Sequence, residues 1–353
     1  MQLSPKRWVL SLLTTAALLL SLCAALVYWV DPCFTFRWPS HLPPVFFNER
    51  YQNAGMAKNG NADIVLMGTS MTANYRVSQV ERAFGGTAVK LTFPDGYLSE
   101  FDAALAMATR AKEPKRVIFG LDINVLTRDE SEKTDALPAY LYNQNPVDDV
   151  KYLLNKDSLY YSLYQIKSDL WGTAEPVDEA FTWDDTVWWA KETALAGYER
   201  PPLADSPVAQ DAYLTQVTQN IDCVLDWARA HPQTEFDVFF PPYSILYWDK
   251  MQRTGATDAV FSALQSALHG LVGGGEAAQP PGNIRVYFFP AQLDIITDLD
   301  NYGDYIHHSG GVCTRLLGEL QAGDYQVTAD NLEETLKTLR DFVEGYDYGA
   351  IWG

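Results

Sequence analysis

Apolar and polar positions along this chain alternate in a strand-then-helix rhythm, preceded by one long uncharged run. Trp8 to Val30 carries no charge. A helix there would be roughly 34 Å long, enough to cross a bilayer core. Lys6 and Arg7 lie just before it, and Tyr28 and Trp29 lie at its far end, ahead of Asp31-Pro32. Cationic residues before such a run keep a short N-terminus cytoplasmic, and interfacial aromatics mark the other side. The expectation is a single-pass cell-membrane protein with an extracytoplasmic C-terminal domain. A cleaved signal peptide is the alternative, but its apolar region is usually about 7–15 residues and ends at a small-x-small site. Leu20-Ser21-Leu22-Cys23 faintly resembles a lipoprotein box. Leu22 is bulky, however, and the apolar run continues past Cys23.

Residues 31–60 hold Trp38, Pro39, Pro43, Pro44, Phe46 and Phe47, and they read as an irregular stalk. From residue 61 the chain reads as one domain. Short apolar runs at Ala62–Met67, Ala88–Phe93, Arg116–Leu121, Phe236–Phe240 and Ile284–Phe289 have the length and flanks of buried strands. Helical spacing falls between them at Met71–Phe84, Ser99–Ala111 (with Ser99 as cap), Tyr213–Ala230 and Ala259–Leu271. A last helix covers Ala329–Glu344. Gly273-Gly274-Gly275 breaks the fourth of these. Five strands alternating with helices predict an α/β three-layer sandwich, flavodoxin-like, around a five-stranded parallel sheet.

One stretch interrupts the rhythm. Residues 127–212 form an insertion rich in aromatics, among them Tyr140, Tyr152, Tyr161, Trp183 and Trp189. An insertion at the carboxyl end of a strand can cap a site, and aromatic faces suit sugar rings. The plainer reading is a satellite hydrophobic core.

Composition narrows the partners. Of 353 residues, 47% are apolar and 20% charged, a globular balance. The net charge of −19 disfavours nucleic acid and anionic lipid, although acidity alone also serves solubility. Cys23, Cys33, Cys223 and Cys313 share no metal-ligand spacing. No metal, organic cofactor or disulfide framework is expected.

Chemistry is suggested at two places. Asp63-Ile-Val-Leu-Met-Gly68-Thr69-Ser70 runs from a strand into a helix start. A serine there sits beside free backbone N–H groups able to hold an oxyanion, although it is also an ordinary helix cap. Asp304-Tyr305-Ile306-His307-His308 places an acid three residues before a base. A nucleophilic serine needs such a histidine, and the histidine needs an acceptor to orient it. A surface loop is the bland alternative. Loops at the carboxyl ends of a doubly wound sheet converge, so Ser70, His307 and Asp304 would form a triad. His308 would point elsewhere and be structural. An α/β-hydrolase elbow would need a glycine where Thr72 stands.

The chain resembles the SGNH (GDSL-like) hydrolase superfamily. Gly68-Thr69-Ser70 matches its Gly-Asp-Ser block, with Thr69 for the aspartate, and Asp304-x-x-His307 matches its terminal Asp-x-x-His block. Asp95-Gly96 falls where the family has its oxyanion glycine. Gly120-Leu121-Asp122-Ile123-Asn124 falls at the Gly-x-Asn-Asp block, with Asp122 at the asparagine. An ionised Asp122 cannot donate to an oxyanion. Either Asn124 substitutes, or the hole rests on the amides of Ser70 and Gly96. The match covers roughly residues 60–125 and 230–320. The anchored layout is similar to the teichoic-acid D-alanyl transfer protein and to alginate-type polysaccharide O-acetyltransferases, and Leu137–Pro146 and Asp300–Ser309 also look like uncharacterised Gram-positive members of this kind. The resemblance implies an esterase or O-acyltransferase on a cell-envelope polysaccharide or teichoic-acid-like polymer, with a membrane-bound O-acyltransferase as an expected partner. A non-catalytic glycan- or partner-binding envelope protein, and an assembly protein, are the competing expectations.

Overall fold

A computed structural model describes residues 4–133, 137–273 and 279–352. The N-terminal helix α1 (Pro5–Val30) is long and apolar enough to cross a membrane, with a mean hydropathy of 2.3. The chain continues through α2 (Glu49–Asn59), β1 (Ile64–Gly68), α3 (Ser70–Ala73), α4 (Val77–Phe84), β2 (Ala88–Thr92), α5 (Leu98–Ala111), β3 (Arg116–Gly120) and α6 (Ile123–Thr127). The inserted region holds α7 (Asp149–Leu153), α8 (Lys156–Trp171) and α9 (Lys191–Ala196). After it come α10 (Leu214–Ala230), β4 (Glu235–Phe240), α11 (Ile245–Arg253), α12 (Thr257–Val272), β5 (Ile284–Phe288) and α13 (Leu293–Thr297). The chain closes with α14 (Gly310–Ala322), β6 (Gln326–Val327) and α15 (Leu332–Gly345).

The sheet order is β2-β1-β3-β4-β5-β6. The first five strands are parallel and β6 is antiparallel to β5. The expected five-stranded sheet therefore has a sixth, two-residue strand, too short to leave a periodic signal. The parallel strands are buried almost throughout, as helices on both faces require. Phe119 of β3 meets Phe101 of α5 and Trp227 of α10 on one face. On the other, Phe239 of β4 lies beside Tyr75, and α4 packs on α14.

Three local readings change. The predicted helix over 71–84 is two helices, α3 and α4, broken at Asn74–Arg76. There the buried Lys90 ammonium donates to the carbonyls of Ala73 and Tyr75, so those carbonyls are satisfied without helix continuation. Helix α5 is capped by Tyr97 and Glu100 rather than by Ser99. Residues 31–60 are no irregular stalk, because α2 lies within them and packs on α5 and β2. Of the glycine breaker, Gly273 caps α12 at φ 81, while Gly274 and Gly275 lie outside the described residues.

The exit from α1 is held firmly. Asp31 adopts a left-handed turn and its carboxylate accepts the N–H groups of Thr35, Phe36 and Arg37 at 2.9, 2.8 and 3.0 Å. The Tyr152 hydroxyl donates to Asp31 and accepts the Cys33 N–H, both at 3.0 Å. Val27, Cys33, Ala54, Leu141 and Tyr152 form a second small core there. Tyr140, Tyr142 and Tyr152 of the insertion serve this cluster, which matches the satellite-core reading for those three.

Candidate active site

Gly68 and Gly120 end β1 and β3 in register, and both make room for α3. A methyl group on Gly68 would lie 2.0 Å from Thr72 Oγ1, and one on Gly120 2.6 Å from the same atom. The two glycines thus let the first turn of α3 sit directly on the strand ends. Thr69 caps α3 through its hydroxyl, which accepts the Met71 N–H at 3.3 Å. Ser70 is the first helical residue, and its N–H has no intrahelical acceptor.

The second stretch is pinched into a tight loop. Tyr302 pairs with His308 across it, and the Gly303 N–H donates to the His307 carbonyl at 3.0 Å. The Tyr302 hydroxyl donates to the Pro242 carbonyl at 3.0 Å, and Ser244 Oγ donates to the Tyr305 carbonyl at 2.6 Å. Both bonds tie the loop to the exit of β4, so that it faces α3.

Ser70 Oγ lies 2.8 Å from Nε2 of His307, a residue 237 positions away. Nδ1 of His307 lies 2.6 Å from Oδ2 of Asp304. The other carboxylate oxygen accepts the Ile306 and His307 N–H groups, both at 2.8 Å. A carboxylate with those donors is an acceptor, so the Nδ1 proton points to it and Nε2 is left to accept from Ser70. Burial opposes the charge on Asp304, but the bonds and charge of His307, with the two N–H groups, outweigh it and hold the carboxyl below its usual range.

The remaining predicted residues separate. Asp122 is buried. It accepts the Thr69 hydroxyl and, at 3.0 Å, the Val125 N–H, capping α6. Burial raises its pKa despite those bonds. The Tyr243 hydroxyl approaches it without the geometry of a full hydrogen bond. Asp122 therefore braces the serine turn from behind. Asn124 is exposed and lines the same open cavity as Ser70 and His307, of about 240 Å³. Gly96 packs against Phe93 and Phe101, where a Cβ would lie 2.7 Å from the Phe93 carbonyl, and it is not among the residues lining the cavity. Its neighbour Asp95, in a left-handed conformation, does line it.

Sequence reasoning missed several contributors. Arg128 lines the cavity, donates to the Asp95 carbonyl at 2.5 Å and stacks over Tyr97 at 4.7 Å, fixing the loop that carries Asp95-Gly96. The inserted segment 182–197 wraps the triad. Trp183 stands edge-on to the His307 ring at 5.2 Å. The Trp183 backbone N–H donates to Oδ1 of Asn74, at the end of α3, at 3.1 Å. Asp184 accepts the Gly310 N–H at 2.6 Å at the start of α14. Gly197 lies against Asp304, where a methyl group would be 3.1 Å from its Cβ. Only the aromatic richness of the insertion hinted at this, since no local spacing encodes a contact so distant in sequence.

His308 is buried and faces away from the triad, with Nδ1 3.6 Å from Cys313 Sγ. Burial lowers its pKa to about 4. All four cysteines are free thiols, and no group of three or more His, Cys, Asp or Glu suited to a metal occurs among the described residues. No family model matches this chain, and no curated protein matches it either.

Proposed function

We propose that this protein is a membrane-anchored serine esterase or O-acyltransferase of the SGNH type, acting on acyl esters of a cell-envelope polymer. The observation that carries the reading is the continuous Ser70–His307–Asp304 relay, with distances of 2.8 and 2.6 Å, at the rim of an open cavity. The flavodoxin-like order of the five parallel strands fits it, since ligands in such sheets bind at the carboxyl ends of the strands.

In the proposed mechanism Ser70 Oγ attacks the acyl carbonyl carbon while His307 Nε2 takes its proton. Asp304 holds the resulting imidazolium in place. The Ser70 amide and the Asn124 side chain, with the Gly96 loop beside them, stabilise the oxyanion. His307 then returns the proton to the departing alcohol, leaving an acyl-Ser70 ester. Water or a sugar hydroxyl, deprotonated by His307, attacks that ester; the bond to Ser70 Oγ breaks, His307 gives the proton back to Ser70, and the acyl group leaves on the acceptor, which alone separates hydrolase from transferase. A cavity of about 240 Å³ suits a small acyl group better than a long chain. Lys6 and Arg7 before α1 favour an extracytoplasmic domain, where an envelope polymer and a membrane-bound O-acyltransferase partner would be met.

The test is covalent labelling of the full-length protein with a fluorophosphonate. Label should map to Ser70 and vanish in Ser70→Ala and His307→Ala. A folded protein that takes up no label at any pH from acid to alkaline overturns the enzymatic reading.

A further inference from the structure

Helix α8 is amphipathic in the reverse of the usual sense. Its covered face carries Ser158, Ser162, Gln165 and Ser168. Its outward face carries Tyr160, Leu163, Tyr164, Leu170 and Trp171 at helical spacing. Of these Leu163 is 54%, Leu170 75% and Trp171 68% exposed. The exposed Lys167 lies among them, its ammonium 5.5 Å over the Trp171 ring, and clustered apolar and aromatic exposure of this kind marks an interaction site.

The neighbouring elements indicate what covers it. Helices α7 and α8 pack on α1, and they do so at its far end. Residues 5–22 of α1 are exposed, and coverage begins at Cys23 and Ala24. The uncharged part of that bare stretch, Trp8–Leu22, is about 22 Å long, short of a bilayer hydrocarbon core of about 30 Å. A core of that thickness reaches the covered turns as well, so α8 beside them comes to the outer acyl and headgroup boundary. Tyr28 and Trp29 are exposed at this same level, and Arg37 and His41 reach the Trp29 carbonyl at 3.5 and 2.6 Å. Tyr28 and Trp29 with Arg37, and Tyr160, Tyr164 and Trp171 with Lys167 on α8, are the aromatic and basic residue types found at membrane interfaces. Residues 147–172 carry Lys151, Lys156 and Lys167 against Asp148, Asp149, Asp157 and Asp169. That near balance contrasts with the strongly acidic chain and lets this face approach lipid.

We infer that the outward face of α8 lies in the outer interface of the bilayer, a second membrane contact beside α1. This rests on the reading that α1 spans the membrane, and it adds that the inserted region docks on lipid. The apolar side chains of α8 would enter the headgroup and acyl boundary, with Lys167 snorkelling outward.

The test places the full-length protein in phosphatidylcholine vesicles containing a lipid with a photoactivatable diazirine near the glycerol end of one acyl chain. After illumination, lipid adducts are mapped by peptide mass spectrometry. Adducts on both α1 and residues 160–171 are the expected result. The double variant Leu163→Glu, Trp171→Glu, with an unchanged circular dichroism melt, should lose the second set and keep the first. Adducts on α1 alone, or crosslinks from α8 to a second copy in place of lipid, overturn the inference and leave the anchor standing. Absence of adducts on α1 as well overturns the anchor reading itself.

Discussion

Each side chain of the relay does one thing, and each can be removed separately. Asp304→Asn keeps the shape but exchanges an acceptor for a group that can donate, so His307 loses the bond that fixes its tautomer. Fluorophosphonate labelling of Ser70 should slow about 100-fold to 10,000-fold in a protein that still folds, its melting temperature lowered by the loss of the ionised carboxylate's bonds. Because the Asp304 carboxyl sits below its usual range, it stays ionised through mild acid. Its contribution to stability is present above the ordinary carboxylate value and is lost only as pH falls through the lowered one. Asn124→Ala tests the oxyanion side. A slowing of about 10-fold to 1,000-fold is expected if its amide donates, and an unchanged rate would leave the hole to backbone N–H groups alone. His308 titrates in the opposite sense to a partnered histidine. Its pKa falls from 6.5 to about 4 on folding, so the unfolded chain binds the extra proton. Stability is then complete above the unfolded value and declines as pH drops from 6.5 toward 4, by at most about 3 kcal/mol. Thermal melts across that range should show the decline, and His308→Gln should flatten it.

The elements that carry these residues were legible to different degrees. The five parallel strands stood out because short apolar runs bounded by glycine and proline have few other uses. The Ser70 and Asp304–His307 stretches stood out through residue type and spacing. Helix α14 was overlooked, although Ser309 as cap and Val312, Leu316, Leu317 and Leu320 at helical spacing were a usable signal masked by Gly310-Gly311. The break between α3 and α4 was not legible, since it depends on Lys90 arriving from another strand. Nor was the edge contact of Trp183 with His307, made across the fold. The junction of β1 and α3 gives a sharp test at this scale. Gly68→Ala would drive a methyl group into Thr72 and push α3 off the strand ends. Labelling of Ser70 should collapse, and the melting temperature should drop by the several degrees that about 1–3 kcal/mol of overpacking produces. Retained labelling would mean α3 has slack that its contacts do not suggest.

At the scale of the whole molecule, the domain and its N-terminal helix are joined through a small core and the Asp31–Tyr152 knot. Tyr152→Phe removes the one hydroxyl that bonds both Asp31 and the Cys33 N–H. It should cost about 1–3 kcal/mol and open residues 31–48 to limited proteolysis while leaving Ser70 labelling intact. If cleavage there is no faster than in the parent protein, the hydroxyl is not what secures the junction. If the chain is the anchored enzyme proposed above, the knot also bears on how it would find its work. On a floppy tether a catalytic head sweeps a hemisphere above the membrane and samples many altitudes. Bolted to its anchor, with α8 resting on lipid, this head would travel at one altitude and in one attitude. Encounters would then be set by lateral drift within the sheet of lipid, and a polymer strand or acyl donor would have to present its ester at that height.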